Sequence, residues 1–255
     1  MSTPLFNQCD FHVHTRYSAC ARYEMRLPEI VKVCEQIGIS YLGITDHIDL
    51  ATDKGILQYV KEEINELHTD VRVYLGCEVE IVDVGKHALG PDGASARVEY
   101  GLDFVAVAAN HFHSPEVAQP EDMSLRGIAR HFLEMFRYAC TLEFVDIIVH
   151  PLVVYPRTFD PACLTFLEDS ELMEAIRLAK ENHIAMEISP RVLMSHQIDF
   201  SMRFYQLCKH AGLRFSIGSD AHSLSNVGNG RILEPIVRSL DLTDEDIWLP
   251  TSLKV

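Results

Sequence analysis

The chain contains no run of about 18 apolar residues, so no segment is suited to cross a membrane as a helix. Its first residues, Met1-Ser2-Thr3-Pro4, lack the basic and apolar regions of a secretory signal. No Cys-x-x-Cys pair occurs and the seven cysteines are odd in number, which fits a reducing cytoplasm better than a disulfide framework. Basic residues are scarce as well: 22 Lys and Arg stand against 37 Asp and Glu, a formal charge of −15. That balance argues against nonspecific binding to nucleic acid or anionic membranes, both of which need a basic face. There is no Gly-x-Ser-x-Gly elbow for a nucleophilic serine, and no Gly-x-Gly-x-x-Gly follows the first strand to bind a dinucleotide.

What is present is an alternation. Short apolar runs at residues 7–13, 41–45, 71–81, 104–108, 145–149, 183–188 and 213–217 read as strands. Amphipathic segments at 28–37, 56–68, 124–140, 170–181 and 201–210 read as the helices between them. Residues 83–100 read as a loop or hairpin, and the tail, 231–255, as a last helix and a covering segment. Seven strands alternating with helices specify a parallel sheet, and 255 residues suit one α/β barrel domain spanning 1–255 better than an open sheet. The 47% hydrophobic content supplies its core.

The chemistry collects at the strand ends. In Cys9-Asp10-Phe11-His12-Val13-His14, residues i and i+2 of a strand face one side, so His12 and His14 project together as two ligands of one ion must. His47, Glu78, His111, His150, Asp220 and His222 each stand at or just beyond the end of a later strand, with His113 close to His111. In a parallel barrel those ends share one mouth, where enzymes of this architecture keep their active sites. His68, His131, His196 and His210 fall on helices or loops and His183 starts a strand, so these read as structural or solvated. Eight candidate ligands at about three per ion imply two or three divalent ions. Imidazole with carboxylate suits zinc, manganese or iron more than calcium or magnesium.

The motifs Asp10-Phe11-His12-Val13-His14-Thr15, Gly43-Ile44-Thr45-Asp46-His47, Gly76-Cys77-Glu78-Val79, Asn110-His111-Phe112, His150-Pro151 and Gly218-Ser219-Asp220-Ala221-His222 occur in this order. On them the chain resembles the PHP (polymerase and histidinol phosphatase) superfamily. The resemblance implies a distorted (β/α)7 TIM-like barrel with a trinuclear site and metal-dependent phosphoesterase chemistry by activated hydroxide. It implies a first ion held by His12, His14, Glu78 and Asp220, a second by Glu78, His111 and His150, and a third by His47 and His222. Glu78, Asp220 and His222 are then the residues expected to serve catalysis directly. Histidinol-phosphatase-like members often carry a further histidine six residues beyond the second histidine of the first motif. Here Cys20 holds that position, and a thiolate there is a soft ligand that suits zinc.

Phosphate recognition usually adds a cationic fork, for which Arg16, Arg22, Arg157 and Arg191 are candidates. Asp46 and Glu187 are placed to orient a ligand histidine or move a proton. The expected function is a cytoplasmic phosphatase of a small phosphomonoester, histidinol phosphate among the candidates. A phosphodiesterase acting on nucleotides or short oligonucleotides and a non-catalytic metal-binding module are the alternatives. A metal-barrel amidohydrolase would usually carry a modified lysine at a strand end, and no lysine stands at one.

Overall fold

The structure, a computed structural model, describes residues 3–250. The first half of the chain runs β1 (Cys9–Val13), α1 (Leu27–Ile37), β2 (Tyr41–Ile44), β3 (His47–Ile48), α2 (Ile56–Asn65), β4 (Arg72–Leu75), β5 (Glu78–Asp83), β6 (Lys86–His87) and α3 (Gly93–Tyr100). The second half runs β7 (Ala106–Ala108), α4 (Leu125–Cys140), β8 (Ile147–Ile148), α5 (Asp169–Glu181), β9 (Ala185–Ile188), α6 (Ile198–His210), β10 (Phe215–Ile217) and α7 (Glu234–Ser239). Apart from β6, which turns back antiparallel on β5, every paired strand runs parallel to its neighbours.

Seven staves result, as the alternation predicts, because two of them are broken. Thr45-Asp46 interrupts the second stave between β2 and β3, and Gly76-Cys77 interrupts the third between β4 and β5. The breaks divide the sheet into an arc β1-β2-β4 and an arc β10-β9-β8-β7-β5-β3. The seam between the last stave and the first is thin: Val13 bridges Ala221, and the His14 N–H donates to the Ala221 carbonyl at 3.0 Å. This is the distorted α/β barrel the sequence motifs imply.

A ring plugs one end of the barrel beneath the breaks. Phe104 is fully buried, 6.1 Å from Phe11 and 5.6 Å from Trp248 between ring centres. A Cβ added at Gly43 would come within 2.7 Å of that ring, and one at Gly76 within 2.5 Å. Glycine is therefore required at both places, and the staves bend around the phenylalanine.

The helices follow simple local rules. Pro28 starts α1, Gly38 ends it at φ +75°, and Leu27, Ile30, Val31 and Cys34 face the core. Ser124 caps α4 by accepting the Gly127 N–H, and Phe132 and Phe136 lie on its buried face. In residues 83–100 a hairpin is present, but its second part is the helix α3 rather than loop. Asp92 caps it by accepting from the Ser95 N–H, an anchor that outweighs the low helical propensity of Gly93. In the tail α7 is short, and the Trp248 N–H then donates to the Phe215 carbonyl at 2.8 Å, covering the barrel. Residues 251–255 of the expected covering segment lie outside the described residues. No helix among the described residues is long and apolar enough to cross a membrane.

Candidate metal centre

The barrel mouth gathers the predicted strand-end residues into one buried cluster. His12 and His14 leave β1 with their ring nitrogens turned inward, Nε2 to Nε2 at 3.1 Å. Glu78, the first residue of β5, reaches the middle of the cluster. Its Oε2 lies 3.3 Å from His12 Nε2, 3.4 Å from His14 Nε2 and 2.9 Å from His47 Nδ1. Its Oε1 lies 2.9 Å from His150 Nε2 and 3.5 Å from His111 Nε2. Asp220 approaches from the far side, its Oδ1 3.6 Å and 3.5 Å from the same two nitrogens of His12 and His14. His222 and His47 each stack on His14, at 4.1 Å and 4.3 Å between ring centres, and lie 5.7 Å from each other.

Asp220 and His222 do not reach the site as an extended pair. The strand stops at Ile217, and Asp220 takes a left-handed φ of +53°, held by the Val13–Ala221 bridge. His150 is likewise left-handed at φ +31°. Such conformations cost free energy in a residue with a side chain and gather at functional sites.

Three of the inward rings, those of His150, His14 and His12, are held from behind. Asn110 Oδ1 accepts from His150 Nδ1 at 2.9 Å, while its amide donates to the His150 and Val153 carbonyls. Ser18 Oγ stands 3.1 Å from His14 Nδ1, accepts the His47 N–H and donates to Asp46 Oδ1 at 2.6 Å. Asp46 is fully buried and also accepts from the backbone and hydroxyl of Thr15. Glu187 lies 2.6 Å from His12 Nδ1. Ser18 and Asn110 are positioning groups that reading along the chain does not single out. Ser18 lies four residues past His14, and Asn110 precedes His111 inside a quoted motif.

The electrostatics follow from this packing. Burial alone would raise the Glu78 carboxyl, but His47, His12 and His111 hold it well below its ordinary range. Burial also opposes charge on His12, yet Glu187, Glu78 and Asp220 raise it well above the ordinary value. His47 is raised to about 11 by Glu78 against its own burial. Burial and the neighbouring His47 charge push His14 well below its usual range. Burial would raise the Cys20 thiol, but hydrogen bonds with His222 and His47 bring it down to about 6.

A divalent ion fits this donor set. Four groupings place three ligand atoms within 4.8 Å of one another: His12-His14-Asp220, His12-Glu78-His150, His47-Glu78-His111 and His14-His47-His222. Buried Glu78 Oε2 has no hydrogen-bond partner, although three histidine nitrogens surround it. A carboxylate oxygen left so among convergent lone pairs is the environment that a cation satisfies.

Two adjoining cavities open over the cluster, about 410 Å³ and 340 Å³, sharing Cys20, His47, His111 and His113. Arg157 and Arg191 line the second. Arg191 donates twice to Asp220 Oδ2, at 2.8 and 2.7 Å, and its guanidinium lies over the Tyr155 ring. Arg16 turns outward to Glu63 at 2.8 Å, and exposed Arg22 lies 3.8 Å from Glu24. Neither lines the two cavities, because the loop after β1 directs both side chains toward solvent.

The model of the PHP domain matches residues 10–150, more than half of the chain. The chain belongs to the PHP domain family. It is 24% identical over 252 residues to a protein of Clostridium acetobutylicum named a probable phosphatase, covering 96% of this chain and 91% of that one. It is 25% identical to a probable phosphatase of Clostridium novyi, covering 91% and 87%. Its fold resembles a histidinol phosphate phosphatase of Lactococcus lactis, solved with zinc, L-histidinol and phosphate. That likeness has a TM-score of 0.63 at 14% identity and covers 92% of this chain and 94% of that one. The matched PHP region contains the first four strand-end motifs and ends on His150, and Asp220 with His222 follows beyond it.

Proposed function

We propose that this chain is a metal-dependent phosphatase of a small phosphomonoester, acting in the cytoplasm, with residues 1–255 as one catalytic domain. The observation that carries the reading is the convergence of seven side chains around buried Glu78, whose Oε2 lacks a hydrogen-bond partner. In this reading His12, His14, Glu78 and Asp220 hold one divalent ion, Glu78, His111 and His150 a second, and His47 and His222 with Cys20 a third. Zinc is the favoured metal, on the nitrogen and sulfur donors and on the zinc bound by the Lactococcus lactis relative. Such ions, when bound, supply activated water near neutral pH and neutralise charge on phosphoryl oxygens.

The protein's own groups prepare the site. Asn110, Glu187 and the Ser18–Asp46 pair hold the ring nitrogens that face outward, leaving the inward nitrogens as ligands. Arg157 stands at the cavity wall as the cation available to a phosphoryl group, and Arg191 supports Asp220 from the same wall. In this reading Glu78, Asp220 and His222 are the residues that serve catalysis directly. The joint cavity is of small-molecule size, which favours a compact ester over a polymer. The histidinol and phosphate bound by the Lactococcus lactis relative support histidinol phosphate as one candidate.

The test is a panel of phosphomonoesters, histidinol phosphate included, assayed beside bis-p-nitrophenyl phosphate with zinc- and manganese-loaded protein. Turnover of monoesters well above the diester is expected. Preference for the diester would assign the chain to phosphodiesterases, and no turnover of either would leave a metal-binding module.

A further inference from the structure

Glu187 sits on β9 with its carboxylate fully buried under the metal centre. Its Oε1 lies 2.6 Å from His12 Nδ1, and its Oε2 accepts the backbone N–H of His150 at 2.7 Å. His12 and His150 come from strands far apart in the sequence, and His150 is one of the left-handed residues of the site. One carboxylate thus fixes the ring of one candidate ligand and the strained backbone of another. Its surroundings are built to keep it there. The Tyr205 hydroxyl donates to the Glu187 carbonyl at 2.6 Å. On β10's side, a Cβ at Gly218 would come within 2.2 Å of Glu187 Oε1 and 2.6 Å of His12 Cβ. The glycine of the Gly218-Ser219-Asp220 motif is therefore demanded by the Glu187–His12 contact.

We infer that Glu187 is a positioning residue that sets the His12 tautomer and pins His150, so that both ligands are presented together. The inference rests on the metal-dependent reading above and concerns a residue that binds neither metal nor substrate. The reason lies in donor and acceptor counts. An ionised carboxylate only accepts, so His12 Nδ1 must carry a hydrogen and Nε2 is left as the inward ligand atom. Glutamine at 187 has nearly the same shape but one acceptor and one donor. If its oxygen keeps the His150 N–H, its amide meets His12 Nδ1, which must then accept. The His12 hydrogen moves to Nε2, and that nitrogen cannot ligate.

The experiment compares wild type, Glu187→Gln and Tyr205→Phe as full-length zinc-loaded proteins. Zinc affinity is measured against a competing chelator, and histidine tautomers by long-range proton–nitrogen NMR. Wild type should show His12 protonated at Nδ1 and zinc-shifted at Nε2. Glu187→Gln should lose about 10–100-fold in zinc affinity, the range for groups that orient metal ligands, with the His12 hydrogen on Nε2. Tyr205→Phe, which loosens the same strand without touching the carboxylate, should keep wild-type zinc affinity. Unchanged affinity in Glu187→Gln, an equal loss in Tyr205→Phe, or a wild-type His12 ligating through Nδ1 would each overturn the inference. If Glu187→Gln does not fold, the wild-type spectrum alone decides. Wild type that binds zinc and turns over phosphate esters with the wrong tautomer defeats this inference only. Wild type that binds no zinc defeats the phosphatase reading with it.

Discussion

Glu78 touches five histidines, His12, His14, His47, His111 and His150, from a single buried carboxylate. Replacing it with glutamine removes the charge that balances them. Glu78→Gln should therefore cost more in kcat/KM than the 10–100-fold expected for an orienting group such as Asn110, replaced by alanine. Steady-state kinetics on both variants checks the order, and equal losses would contradict it.

The protonation of these residues predicts a pH dependence with a definite sign. In metal-free protein the raised His47 stabilises the fold fully below 6.5 and loses that contribution as pH rises toward about 11. The depressed Glu78 contributes above 4.5 and loses its share as pH falls through its lowered value. The contributions of His47 and Glu78 are thus both complete between 4.5 and 6.5. Metal needs the same histidines neutral, so zinc binding strengthens as pH rises. The gain in thermal midpoint on adding zinc should widen as pH passes upward through 6.5, measured by scanning fluorimetry. A gain that narrows would contradict these shifts. At this scale the sequence makes the convergence of histidines and acids legible, because each ends a strand. It cannot show Ser18 or Asn110 as ring-holders, since their partners lie on other strands or depend on a local turn. Nor does it separate Arg157 and Arg191 from Arg16 and Arg22, which differ in the direction their loops turn.

Among the elements, the two broken staves do the positioning. The break after Ile44 frees His47 to turn inward, and the break after Leu75 delivers Glu78 to the centre. A glycine packed against Phe104 stands at each place, Gly76 within the second break and Gly43 in β2 just before the first. Gly76→Ala puts a methyl where the ring stands at 2.5 Å, so the ring or the stave must move. A loss of about 1–3 kcal/mol is expected from such overpacking, read as a lower urea midpoint with an unchanged slope. No change in midpoint would mean that Phe104 relocates freely. Seven staves and the longer helices are legible from periodicity. The helix α3 is not, because its stability comes from the Asp92 cap and its apolar face is small: Gly93 and Ala96 alone are buried. The left-handed turn at Asp220 is also hidden, since a run such as Gly218-Ser219-Asp220-Ala221-His222 reads equally well as an extended strand.

For the whole molecule, the formal charge of −15 and the cluster of acids and imidazoles at the mouth have one common consequence. Divalent cations should stabilise the folded chain, because they bind the assembled site and not the unfolded one. The most direct test is elemental analysis of the purified protein, paired with p-nitrophenyl phosphate hydrolysis before chelation, after chelation and after zinc is restored. Two to three transition-metal equivalents, with activity lost to the chelator and recovered with zinc, is the predicted result. One equivalent or none after reconstitution, with no hydrolysis, would contradict the phosphatase account.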